Sequence, residues 1–360
     1  MTECELREII SHFKVSTEIA PYGEGHINDT YLAESAPYKY ILQKINHNIF
    51  KDPYKLMDNI VLVTDHLRVI IEKEGSNPDR ETLTVIKTTD DKSLYRTESG
   101  DYYRMYIFVD DTITYQQVEK PEQFYHAAKA FGKFQKRLSD FDASSLVETI
   151  KDFHNTRSRF EQLKSAIAED KMKRAKSVQK EIEFALARKA DVGIIVDEIA
   201  KRNIPLRVTH NDTKLNNVLF DKESGEALCV IDLDTVMPGS LLYDYGDSIR
   251  FGASSGPEDE KDLDKIYCDL DLFDAFTKGF LEELGDSITK KEIELLPFSA
   301  KLMTYECGIR FLADYLNGDT YFKIHYPEQN LDRARTQFKL VYDMEKKHGQ
   351  MKEIVEKYIK

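Results

Sequence analysis

One stretch constrains this chain more than any other: VTHNDTKLNNVLFDKESGEALCVIDLDT, from Val208 to Thr235. Two short apolar runs, Val218–Phe220 and Ala227–Ile231, flank DKESGE, a turn in which Gly225 supplies backbone freedom. The spacing predicts an antiparallel hairpin. Pairing of its strands brings the outer ends together, so Asn217, just before the first strand, and Asp232, just after the second, should lie side by side. An amide oxygen beside a carboxylate suits a hard divalent cation such as Mg²⁺, which keeps several waters. Asp212 sits five residues before Asn217, within reach of the same place.

Taken singly, these residues are ordinary turn formers, since Asp and Asn hydrogen-bond local backbone. Taken together, His210-x-Asp212-x4-Asn217, a hairpin and then Ile231-Asp232 follow the order of a protein-kinase-type catalytic loop and its metal-binding aspartate. Upstream, PYGEGHINDTY opens the first hairpin of the chain. There Gly23 and Gly25 would let backbone N–H groups approach phosphates, although a G-x-G alone more often marks a tight turn. Downstream, PGSLLYDYGDSIRFG supplies Asp244 and Asp247. Asp244 is expected to accept hydrogen bonds from the catalytic loop; on the residue alone it could equally cap a helix.

Around this stretch the chain divides in two. EIAPYGEGHINDTYLAES and KYILQKIN read as a hairpin turning at Ser35–Tyr38. A helix over Tyr54–Glu72 follows, with Leu56, Ile60, Val63, Leu67 and Ile70 on one face. TLTVIKTT, SLYRTES and DYYRMYIFVD read as three more strands. The expected first lobe, residues 1–112, is therefore small and α+β, with the chain passing on around residues 110–115. The second, 113–360, is mainly helical. Its helices carry Phe124, Ala127, Phe131, Phe134 and Leu138 on one face, narrow stripes (Phe160, Leu163, Ile167; Val178, Ile182, Leu186) across the charged region 157–202, and Leu302, Tyr305, Ile309, Leu312 and Leu316 on another. At 360 residues, two lobes are the expectation for size as well.

The net charge of −13 argues against a nucleic-acid partner, which would need clustered Lys and Arg. The scattered cysteines Cys4, Cys229, Cys268 and Cys307 have no metal-ligand spacing and read as reduced thiols. MTECELREIISHFKV does not read as a signal peptide and no apolar run is long enough for a membrane span, so a cytoplasmic protein is expected.

The motifs resemble the kinase-like small-molecule phosphotransferases, a family that includes aminoglycoside phosphotransferases, choline kinases and homoserine kinases. Within it, the chain closely resembles the N-acetylhexosamine 1-kinases. The similarity is carried by PYGEGHIN, YILQKIN, LRVTHNDTKLNN, IDLDT, MPGS, DSIRFGAS, EDEKDL, LLPFS and ECGIRFLADYL. It implies an α+β, protein-kinase-like bilobal fold with a small antiparallel-sheet lobe and a larger helical one. It implies ATP as co-substrate, Mg²⁺ as cofactor, and transfer of a phosphoryl group to the anomeric hydroxyl of an N-acetylhexosamine. Asp212 would be the base, Asn217 and Asp232 the metal ligands, and Gly23, Gly25 and Asn217 would serve the nucleotide. His26, Asp232 or its neighbour Asp234, Phe251 and Arg310 would line the sugar site.

The residues themselves leave other assignments open. Arg310 follows Glu306 by four and could be an ion pair on a helix surface. Phe251 could pack in a core, and His26 could be a plain turn residue. The family's strand lysine is also missing: in YILQKIN the matching position is Gln43, while Lys44 lies on the opposite face. Two competing expectations follow, a kinase of another small alcohol such as homoserine, choline or an aminoglycoside, and an inactive nucleotide-binding regulator.

Overall fold

The computed structural model describes residues 3–23 and 27–359, so the expected contributions of Gly25 and His26 lie outside the described residues. The contacts of the chain fall into two compact units. The first takes the chain up to Thr114 together with Asp140–Lys151 and Asn217–Pro238; the second takes Tyr115–Ser139, Asp152–Asn216 and everything from Gly239 onward. The Asn217–Pro238 hairpin thus packs with the first unit, although the chain reaches it from the second.

In the first unit, helix α1 (Glu3–Ser11) precedes β1 (Ile19–Pro21), β2 (Asp29–Ser35) and β3 (Tyr38–Ile45). The expected first strand of the hairpin is two separate strands, β1 and β2. Helix α2 (Pro53–Lys73) starts with Asp52 as its cap, whose carboxylate accepts from the Lys55 N–H, and with proline at the first helical position. It buries Leu56, Ile60, Val63 and Leu67, as the spacing predicts, but Ile71 rather than Ile70, because the helical stripe drifts over five turns.

After α3 (Pro78–Glu81), strands β4 (Val85–Ile86) and β5 (Tyr95–Arg96) are much shorter than TLTVIKTT and SLYRTES suggest. Both pair with β6 (Tyr102–Ile107), and the sheet runs antiparallel in the order β1-β2-β3-β6-β4, with β5 also on β6. Alternation sorts the two faces. Leu42, Tyr103 and Met105 pack with Leu6, Ile9, Ile10 and Phe13 around α1, which leaves Gln43 and Arg104 on the other face, directly opposite each other in register.

The predicted hairpin forms as β8 (Val218–Asp221) and β9 (Ala227–Val230), with Gly225 at φ +71° in its turn. It adds to β7 (Thr112–Ile113) through Thr112–Asp221 and Ile113–Phe220, making a three-stranded sheet that composition alone did not signal. Buried Asn59 of α2 ties this unit together: its amide donates to the carbonyls of Val147 (2.7 Å) and Val236 (3.0 Å) and accepts from the Val147 N–H (2.9 Å).

The second unit is built on helices α4 (Pro121–Arg137), α5 (Thr156–Glu169), α6 (Gln179–Leu186), α7 (Ile194–Ala200), α8 (Leu241–Gly252), α9 (Leu270–Leu284), α10 (Lys290–Asn317) and α11 (Gln329–Glu356). The charged region 157–202 resolves into three of them. Asp170, in the left-handed conformation at φ 38°, ends α5 and its carboxylate accepts from the N–H groups of Arg174 and Ala175. Along these helices Ala166 and Ala185 are buried, while Leu186, expected in the stripe, is exposed. The α4 stripe and the α10 stripe are buried at every expected position. Gly246 of α8 lets α10 come close: a Cβ there would stand 2.5 Å from the Ser299 carbonyl. Among the described residues no helix is long and apolar enough to cross a membrane, and the four cysteines are free thiols.

Candidate active site

In the first unit the hairpin delivers the geometry its sequence promises. Val218 pairs with Val230, and the Ile231 N–H donates to the Asn217 carbonyl at 2.9 Å. The residues at the two outer ends are therefore adjacent. Asn217 is buried and Asp232 is exposed. Asp232 holds φ 59°, ψ 58°, a left-handed conformation uncommon for a residue with a side chain. Among the described residues no group of three or more His, Cys, Asp or Glu is placed to hold a metal. The pair at the hairpin ends offers one amide and one carboxylate, a donor set that fits a hard cation taking its remaining oxygens from water and from a phosphate.

Asp234 is not open in the same way. Its side chain is 5% exposed and ion-paired with Arg104, whose side chain is 1% exposed. Asn28 donates to its other oxygen at 2.6 Å. Both carboxylate oxygens are thus engaged within the first unit, which leaves Asp232 as the outward-facing carboxylate of the pair. Lys44 is held at 2.8 Å by Asp101, in keeping with its place on the face away from Gln43. Gly23 stands at φ +71°, and among the described residues no heavy atom lies within 4 Å of the position a Cβ would take. Beside it, the Tyr22 ring meets Phe108 edge-on at 5.6 Å.

In the second unit, the loop after the short strand Arg207–Thr209 carries His210 and Asp212. His210 is fully buried, its ring edge-on to Phe131 and Phe134 of α4. Asp244 grips the loop as expected: its carboxylate accepts from the N–H groups of His210 (2.9 Å) and Asn211 (2.7 Å) and from Gln135 (2.7 Å). Thr213 donates to the Asp244 carbonyl at 2.6 Å. Helix α8 is capped instead by Ser240. Burial pushes the Asp244 carboxyl up, opposed by His210 and by these donors.

The fixed backbone presents Asp212 part-exposed, with the Lys214 ammonium 2.9 Å from its carboxylate. Asp212 outweighs burial and lifts the Lys214 ammonium above its usual range. Asp247 bonds Arg250 at 2.8 Å; burial would raise its carboxyl, but Arg250, His154 and Lys214 bring it below the usual range.

His154 and Glu306 form a second support that sequence reasoning missed. The His154 ring stands 3.0 Å from the Asn211 carbonyl and 2.8 Å from Glu306, whose other oxygen accepts from Thr156 at 2.6 Å. Asn211, at φ 66°, is therefore held at both its N–H and its carbonyl immediately before Asp212.

His154 and Thr156 take both oxygens of Glu306, and the surface ion pair with Arg310 that the i,i+4 spacing left open does not form. Glu306 is 1% exposed. The Arg310 guanidinium lies instead 5.4–5.8 Å from the rings of Phe153, Tyr321 and Phe322. Among the described residues it makes no hydrogen bond or ion pair. Phe251 is half-buried near the end of α8.

A sequence-family model described as a phosphotransferase enzyme family (APH) matches residues 18–278. That span covers most of the chain and every candidate residue above except Arg310. The chain belongs to this phosphotransferase enzyme family. Among solved structures, an aminoglycoside phosphotransferase from Alicyclobacillus acidocaldarius aligns at TM-score 0.62 and 12% identity, covering 97% of this chain and 96% of that one. A microcompartment-associated aminopropanol kinase aligns at 0.58 and 13%, covering 97% and 98%. Spectinomycin phosphotransferase APH(9)-Ia, in complex with ADP and spectinomycin, aligns at 0.57 and 13%, covering 96% of this chain and 99% of that one. The fold of this member of the phosphotransferase family is accordingly the α+β, protein-kinase-like one.

Proposed function

We propose that the protein is a sugar 1-kinase, transferring the γ-phosphoryl group of ATP to the anomeric hydroxyl of an N-acetylhexosamine, N-acetylglucosamine or N-acetylgalactosamine. The observation that carries phosphoryl transfer is the gripped loop. Asp244 and His154 fix the peptide of Asn211, so Asp212 is presented part-exposed on a backbone that needs no rearrangement. Asp212 would orient the sugar hydroxyl and take its proton as the oxygen bonds to phosphorus and the bond to the ADP oxygen breaks. Lys214 beside it keeps a positive charge next to the carboxylate and the incoming phosphoryl group.

Asn217 and Asp232 would hold Mg²⁺ brought in with the nucleotide. When bound, the ion offsets the negative charge of the phosphates. Gly23, and Gly25 beyond the described residues, would cover those phosphates, and the adenine would lie along Tyr106–Asp111. A bound ADP in the spectinomycin phosphotransferase neighbour supports a nucleotide for this chain as well.

The choice of a neutral sugar rests on Arg310. Its donors are unpaired among the described residues and its rim is aromatic, which suits hydroxyl and acetamide oxygens and the apolar face of a pyranose. A cationic amino alcohol would meet like charge there. Phe251 is proposed for the same site, and His26, outside the described residues, is kept as a proposed sugar contact. ADP release from Mg-ATP, measured across N-acetylglucosamine, N-acetylgalactosamine, glucose, choline, homoserine and kanamycin, tests the reading. Turnover mainly with the two N-acetyl sugars is expected; turnover confined to choline, homoserine or kanamycin would overturn the substrate while keeping the kinase.

A further inference from the structure

Gln43 stands where kinase-type nucleotide lobes carry a strand lysine, yet the first unit does not lack a cation at that level of the sheet. Arg104 of β6 is the in-register partner of Gln43. Its Nε and Nη2 donate to the Gln43 Oε1 at 3.0 and 2.9 Å, and its remaining nitrogen pairs with Asp234. Gln43 donates in turn to Thr30 of β2 at 3.2 Å. On the far side of the carboxylate, Asn28 donates to Asp234 and accepts from the Asn46 N–H at 3.0 Å. One arginine therefore links β2, β3, β6, Asn28 and the residue two beyond Asp232.

Burying a carboxylate and a guanidinium is costly unless the geometry is well satisfied. Here the guanidinium has Gln43 and Asp234, and the carboxylate has Arg104 and Asn28. Removing Arg104 would leave the Asp234 charge buried next to the Asp232 charge. The left-handed backbone of Asp232 also needs a neighbour to hold it.

We infer that Arg104 is a positioning residue: through Asp234 it fixes the turn that aims Asp232. The inference rests on the reading of Asn217 and Asp232 as ligands of the nucleotide's metal. Arg104 touches neither nucleotide nor sugar in this role. Its loss should act on metal-dependent nucleotide binding and spare the sugar.

The test is binding without turnover. A fluorescent ADP analogue is titrated against the full-length protein with and without Mg²⁺, N-acetylglucosamine affinity is measured by calorimetry, and the melting temperature is recorded. Arg104→Met should weaken Mg²⁺-dependent ADP binding by about tenfold or more, the range for groups that orient metal ligands, with Arg104→Lys recovering part and sugar affinity unchanged. Arg104→Met with Asp234→Leu removes the buried charges together; it should recover the melting temperature but not Mg²⁺-dependent binding. It also decides the matter should the single variant fail to fold. Native-like Mg-ADP binding in a folded variant would overturn the role of Arg104 alone. If the unaltered protein binds no Mg-ADP, the functional reading and this inference fall together.

Discussion

At the scale of single residues, the side chains divide into those reached by solvent and those buried with fixed partners. Asp212 is part-exposed, beside the Lys214 ammonium, on a loop whose preceding peptides are fixed. Asp212→Asn should therefore keep the melting temperature while kcat falls by about 10²-fold or more; a steady-state assay beside a thermal melt checks this. Arg310→Ala should raise the sugar KM more than the ATP KM, read from paired saturation curves. Glu306 is held. Burial favours its neutral form, but His154, Arg310 and the Thr156 hydroxyl bring its carboxyl below the usual value of 4.5. A depressed folded-state pKa means the pair adds stability above about pH 4.5 that is lost as pH falls through the lower, folded value. Glu306→Gln should accordingly cost about 3–5 kcal/mol in urea melts near neutral pH, and the gap to the unaltered protein should narrow in acid.

At the scale of elements, what the sequence made legible was whatever its own periodicity encodes. The β8–β9 hairpin, the α4 face and the α10 stripe lie where their patterns put them, because each pattern reports a local period and a buried face. The misplacements share a cause. TLTVIKTT and SLYRTES have β-forming residues throughout but pair over only two residues each, since pairing depends on what β6 offers and not on propensity. Likewise β7 is a strand only because β8 lies beside it. Gly246 is the clearest element-scale test. Alanine is the better helix former by about 1 kcal/mol, yet its Cβ would meet the backbone of Ser299 and the Met303 side chain where α8 crosses α10. Gly246→Ala should be net destabilising, by about 1–3 kcal/mol, in a denaturant titration.

At the scale of the molecule, the motif His210-x-Asp212-x4-Asn217 with Asp232 pointed to the fold that the solved structures share, although the chain is only 11–14% identical to them. The supports of the site were not legible. Nothing in YYRMYI announces that Arg104 is charged for a purpose; its signal appears only once β3 and β6 are set in register and Gln43 is found opposite. His154 and Glu306 lie far apart in sequence, and their meeting depends on the packing of α10. We propose that this fold, with Asp212, Asp232, the amide of Asn217 and an Arg310 that makes no hydrogen bond or ion pair among the described residues, phosphorylates an N-acetylhexosamine at its anomeric oxygen. Phosphorus NMR of the product formed from Mg-ATP and N-acetylglucosamine tests it most directly. The account predicts a phosphomonoester whose phosphorus couples to the anomeric proton. A phosphate on any other sugar oxygen, or no sugar phosphate at all, would contradict it.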